Sequence, residues 1–110
     1  MSKELEDRFQ NYAKAVRDYC TKIKWDIINK EYIKQVIRSS GSISANYTEA
    51  SDDLGKADEK MKLKISRREA KETIKWLDLT LTYDDKYLDQ FKQQLINEGG
   101  QIRKILSAII

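Results

Sequence analysis

No proline interrupts this 110-residue chain, and its apolar side chains recur at steps of three and four over almost the whole length. A helix of 3.6 residues per turn gathers that spacing onto one face, whereas a half-buried strand would need strict alternation. Between Leu5 and Ile23 the face reads Leu5, Phe9, Tyr12, Ala13, Val16, Tyr19, Cys20 and Ile23, which predicts a first helix with Cys20 as a small core residue. The period fails over KWDIIN, Lys24 to Asn29. There Asn29 can cap a second helix beginning at Lys30, and Trp25 is expected to plug the corner.

The second helix is predicted to run from Lys30 to about Leu54 on the face Tyr32, Val36, Ser40, Ile43, Tyr47, Ala50 and Leu54. It crosses SSGSISANYTEA, Ser39 to Ala50, a stretch with the composition of a flexible linker. A loop has no reason to preserve a helical period, so the stretch is read as helix. Gly41 within it costs about 1 kcal/mol relative to alanine, which suggests a packing reason. Gly55 then stands where a helix C-terminus favours glycine, and a third helix is expected from Ala57 or Asp58 to about Tyr83.

The inner face of that third helix reads Ile65, Glu69, Glu72, Thr73, Trp76, Thr80 and Tyr83. After a turn at Asp84 and Asp85, a fourth helix presents Leu88, Phe91, Leu95, Gly99, Ile102, Leu106 and Ile109. Gly99 falls on its core face, where it would admit a close neighbour or mark a kink. With 35% charged residues, 9% aromatics and four glycines, the expectation is an all-α protein, one domain over residues 1–110, with heavily solvated outer faces. At this size a partner subunit would help bury apolar surface.

Histidine is absent, which removes the commonest general base and metal ligand, and no nucleotide-binding or hydrolase motif takes its place. No catalytic residue, metal or cofactor is therefore assigned. The single cysteine excludes an internal disulfide. The start, MSKELEDRF, lacks the apolar core of a signal peptide, and no apolar run is long enough to span a bilayer, so a cytoplasmic location without membrane contact is expected.

Two polar arrangements are candidates for function. Arg38, Ser42, Asn46, Glu49 and Asp53 form a stripe beside the apolar face of the second helix, opposite Glu69 and Glu72 of the third. Arg38, Ser42, Asn46, Glu49 and Glu72 are read as a structural network in which the arginine neutralises a glutamate and the amide and hydroxyls satisfy the rest. Convergence of Glu49, Glu69 and Glu72 on a divalent ion, giving a metal-dependent enzyme, is the alternative. Lys60, Lys64, Arg67, Lys71 and Lys75, with Arg68 at the edge, form a basic stripe on the third helix. Eight basic residues stand against five acidic ones between Lys56 and Asp78. Such a row can follow phosphates without reading sequence, in keeping with a net charge of +3 and a pI near 8.9. Leu63, Ile74 and Leu81 flank it and suggest a subunit interface.

With these residues identified, YIKQVIRSSGSISANYTEA, then REAKETIKWLDL and the closing QIRKILSAII, resemble the 23S rRNA intervening-sequence proteins from about Arg17 onward. The resemblance rests on Arg38-Ser39, Ser42-Ile43, Asn46 and Glu49 in the second helix and on Glu72, Trp76 and Leu77 in the third. Lys75 departs from the pattern, standing where an aromatic is frequent. The resemblance implies an up-down four-helix bundle assembling into a ring-like homopentamer. Through basic pentameric relatives that work with nucleic acid, it points to a non-enzymatic protein holding RNA or a nucleoprotein partner. A protein-binding scaffold without nucleic-acid contact is the alternative.

Overall fold

A computed structural model describes residues 2–52 and 55–110, and within them four α-helices run in sequence: α1 (Lys3–Lys22), α2 (Ile27–Ala50), α3 (Lys56–Leu79) and α4 (Lys86–Ile109). Each of the three longer helices has 24 residues, about 36 Å at 1.5 Å per residue, which accounts for an elongated body of 46 × 22 × 17 Å. Neighbours in sequence pack side by side, and α1 closes against α4. The stretch from Ser39 to Ala50 is helical throughout.

The helix starts follow side-chain capping. Ser2 Oγ accepts from the Leu5 amide at 3.1 Å, and Asp85 Oδ1 accepts from the Leu88 amide at 3.0 Å. At α2 the cap is Asp26, whose Oδ1 accepts from the amides of Ile28 and Asn29, so the helix begins three residues earlier than the Asn29 cap predicted. Asn29 is fully buried and does something else. Its Nδ2 donates to the carbonyls of Lys24 and Leu81, both at 2.9 Å, and its Oδ1 accepts from the Leu81 amide at 2.8 Å. One side chain thus ties the α1–α2 connection to the α3–α4 connection. Tyr83 adds a hydroxyl hydrogen bond to Asp26. Trp25 is 62% exposed and does not plug the corner, because Asn29 already fills it.

α2 ends at Ala50 with Ser51 as its cap, short of the predicted Leu54; Leu54 and Asp53 lie outside the described residues. Gly55 is not a C-terminal glycine of α2. It directly precedes α3 with φ of 87°, a left-handed conformation that favours glycine. It offers no side-chain cap, but Asp58 and Glu59 in the first turn oppose the positive end of the helix dipole.

The core is led by Phe9, Val16, Tyr19, Val36, Ile43, Tyr47, Leu77, Ile102 and Leu106, all fully or almost fully buried. Phe9 meets Tyr47 edge-on at 4.9 Å, an arrangement that aligns ring edge with ring face. Cys20 lies in this core, and burial pushes its thiol up to about 12, so it stays protonated at neutral pH and is a packing residue.

α3 is rotated from the predicted face. Leu63, Ser66, Glu69, Ala70, Thr73 and Leu77 point inward, while Ile65, Glu72 and Trp76 are half-buried and Tyr83 is exposed. Leu63 therefore belongs to the core rather than to a subunit edge. The rotation has a packing cause: small residues on α2 and α3 let the helices close. Ser66 Oγ donates to the Ile43 carbonyl at 2.8 Å, and Thr73 Oγ1 bonds Ser39 Oγ at 2.8 Å. Gly99 is packed as expected of a close approach: a Cβ there would fall 2.7 Å from the Tyr12 hydroxyl and 2.9 Å from Ile74. Gly41 has no such reason, since a Cβ would meet nothing within 4 Å.

Candidate nucleic-acid interface

The outward side of α3 carries its basic residues at steps of three and four, a direct result of burying Ser66, Ala70 and Thr73 on the other side. Lys60, Lys64, Arg68, Lys71 and Lys75 are exposed and Arg67 is half-buried. They do not all share one site. Lys64, Arg67, Arg68 and Lys71 line a shallow groove of about 350 Å³ that α4 completes with Arg103 and Ser107. Arg67 leans across it, its Nη1 donating to Ser107 Oγ at 3.4 Å. No acidic side chain among the described residues lines this groove. Lys60 lies beyond it in a separate cleft with Glu59, Leu63 and Ile109. Lys75 sits 5.7 Å over the Trp76 ring, a cation–π contact that occupies one face of its charge.

Among the described residues Lys64, Arg67 and Lys71 form no ion pair, and Arg68 reaches Glu69 at 3.4 Å. Three cations left unpaired along one groove attract an anion, or the phosphates of a polyanion, whose own condensed counterions they displace. Arg103 was not singled out from the sequence, because its membership depends on α4 lying beside α3. The pair Arg103 and Ser107, one turn apart, becomes legible only once that adjacency is known.

The inward polar residues divide into three groups. Arg38 bridges Glu69 and Glu72 at 3.6 and 3.7 Å, with its own side chain 55% exposed, Glu72 37% and Glu69 5%. Asn46 turns back within α2, its Nδ2 donating to the Ser42 carbonyl at 2.8 Å and to Ser42 Oγ at 3.0 Å. Glu49 pairs with Lys62 at 2.6 Å. Glu49 is thus held away from Glu69 and Glu72, and the three carboxylates do not converge as a metal-dependent site requires. The deeply buried member is Glu69, whose Oε2 accepts no hydrogen bond among the described residues. Polar character here holds α2 against α3 and leaves the outer surface of α3 to solvent.

A second groove, about 550 Å³, opens between α1 and α4 over Tyr12, Ala15, Phe91 and Leu95. Arg8 spans one rim to Glu98 in a two-pronged pair at 2.8 Å, and the Tyr12 hydroxyl donates to the Leu95 carbonyl at 2.8 Å. Burial raises the Tyr12 hydroxyl above its ordinary range, so it remains a donor.

No curated protein matches this chain. Among solved structures it is similar to a protein of unknown function from the S23 ribosomal protein family of Bacteroides thetaiotaomicron, at 29% identity over 96% of both chains with a TM-score of 0.77. The sequence pattern of the 23S rRNA-intervening sequence proteins matches residues 7–108, nearly the full length. This four-helix chain belongs to the 23S rRNA-intervening sequence protein family.

Proposed function

We propose that the chain is a non-enzymatic, cytoplasmic binding protein that holds RNA or a nucleoprotein through the groove between α3 and α4. The observation that carries this reading is the groove itself: Lys64, Arg67, Arg68 and Lys71 from one helix, joined by Arg103 from the next, with no carboxylate among the described residues that line it. Helix-borne lysines and arginines at this spacing neutralise successive phosphates and displace their counterions, which gives affinity without sequence choice. Assembly into a homopentameric ring belongs to the same proposal. A ring would repeat a weak site on every subunit and convert it into avid binding.

Changing Lys64, Arg67 and Lys71 together to glutamine tests it, since all three lie away from the core. The variant is expected to keep its helical content while RNA binding weakens across unrelated sequences. The slope of affinity against salt should flatten by roughly one unit per lost contact. Sedimentation must show that parent and variant share one mass. Equal binding by both, or no salt-sensitive binding by the parent, would overturn the reading in favour of a protein scaffold.

A further inference from the structure

The groove between α3 and α4 offers cations for phosphates but no ring for a base to lie on. Lys64, Arg67, Arg68, Lys71, Arg103 and Ser107 line it, and no aromatic side chain among the described residues joins them. Trp76, the next aromatic along α3, is half-buried; it stacks on Tyr32 at 6.1 Å and carries the Lys75 ammonium 5.7 Å over its ring. The exposed rings are Trp25, Tyr83 and Tyr87, which belong to the two connections and the first turn of α4. Tyr87 lies about 24 Å from Arg103 along α4, at 1.5 Å per residue. A guanidinium plane can also stack a base, but Arg67 leans on Ser107 and Arg68 on Glu69, each at 3.4 Å.

This composition separates two kinds of RNA. An unpaired strand is flexible and loses conformational freedom when it is laid along a protein, and single-strand-binding surfaces offset that loss by stacking bases on aromatic rings, about 1–3 kcal/mol per base. A duplex is already stiff, keeps its bases stacked on one another and asks only for contacts to its backbone. It also carries twice the charge per unit length of either strand alone.

The cations are arranged to match. Four stand on α3 and Arg103 stands on α4, so they spread across the groove as well as along it. A duplex presents the phosphates of two strands to such a patch, whereas an extended strand presents one line. The Ser107 hydroxyl, exposed between them, can bond to a phosphate oxygen or a ribose 2′-hydroxyl without reading a base. We propose that the groove takes base-paired RNA in preference to single strands, gripping the sugar–phosphate backbone and leaving the bases in their stack. This inference rests on the groove being the RNA site and names the form of RNA it holds.

Fluorescence anisotropy of the full chain tests it with two RNAs of equal phosphate count, a duplex of about 20 base pairs and an oligouridine of about 40 nucleotides, which stays unpaired. The parent is expected to bind the duplex about ten-fold more tightly, and a second duplex of unrelated sequence should bind as the first does. The triple variant Lys64→Gln, Arg67→Gln, Lys71→Gln should weaken binding of both forms. Oligouridine bound as tightly as the duplex, with the triple variant weakening both, overturns the duplex assignment and leaves the groove as an RNA site. A strong preference between the two duplexes overturns the backbone grip. A parent that binds neither RNA, or a triple variant that binds both as the parent does, overturns the groove reading and this inference with it.

Discussion

Where α2 meets α3 the facing residues are Ser39, Ser66 and Thr73, and their hydroxyls close the gap by bonding to each other and to the Ile43 carbonyl. Where α1 meets α4 the facing residues are Tyr12, Phe91 and Leu95, and the gap stays open as a groove of about 550 Å³. Both seams bury polar atoms, yet the second leaves a groove beside it. The difference shows how side-chain size sets the distance between helices, and how a buried hydroxyl is tolerated when a carbonyl or another hydroxyl lies within reach. It also explains why a serine-rich stretch belongs in the middle of this bundle.

The sharpest way to break the contrast is to enlarge one residue in each seam. Ser66→Leu should lower stability by about 3 kcal/mol, because extra methylenes enter a close helix contact and a hydrogen bond is lost. Ala15→Leu, at the open groove, should change it by less than about 0.5 kcal/mol. Urea denaturation midpoints measure both, and similar losses would mean that the seams are packed alike.

Next in size is the arginine that spans the closed seam. Arg38→Ala should cost about 2 kcal/mol, since it withdraws a cation from the buried Glu69 carboxylate. Glu69→Leu should cost less, because Arg38 and Arg68 are both more than half exposed and water can take over their solvation. Equal losses in the two variants would show that the pair contributes as a unit.

Removing one hydroxyl from each seam should cost about 1 kcal/mol in both cases. Thr73→Val and Tyr12→Phe are the variants, and matching shifts would show that the hydrogen bonds are equivalent although the packing is not. The two mid-helix glycines give the smallest effects and opposite signs. Gly41→Ala should raise stability by up to about 1 kcal/mol through helix propensity alone. Gly99→Ala should lower it, since the same gain is outweighed where Tyr12 and Ile74 already crowd the added carbon. A stabilising Gly99→Ala would show that Ile74 shifts aside easily.

How much of this was legible from the chain depended on which signal each residue sends. The four helices followed from spacing, and the period through Ser39 to Ala50 read correctly because Ile43, Tyr47 and Ala50 hold it. The rotation of α3 was not legible. Its core side holds the expected Glu69 and Thr73 but is otherwise marked by Ser66 and Ala70, which a search for apolar bulk passes over in favour of Ile65 and Trp76. Asn29 sent a true local signal, being a good capping residue, but a tertiary role claimed it and Asp26, three positions earlier, took the cap. For the candidate groove, the α3 residues were visible as a stripe, whereas Arg103 required knowing which helix lies alongside.

The bond from Asn29 to Leu81 gives the molecule a built-in reporter. The Leu81 amide lies beyond the end of α3, where a backbone proton would ordinarily trade with water within moments, yet it points at a side chain fifty-two positions earlier in the chain. Its exchange with deuterium is governed by whether the α1–α2 hairpin and the α3–α4 hairpin are docked, since neither hairpin alone can protect it. A single amide resonance therefore follows the joining of the two halves, separately from the melting of any helix.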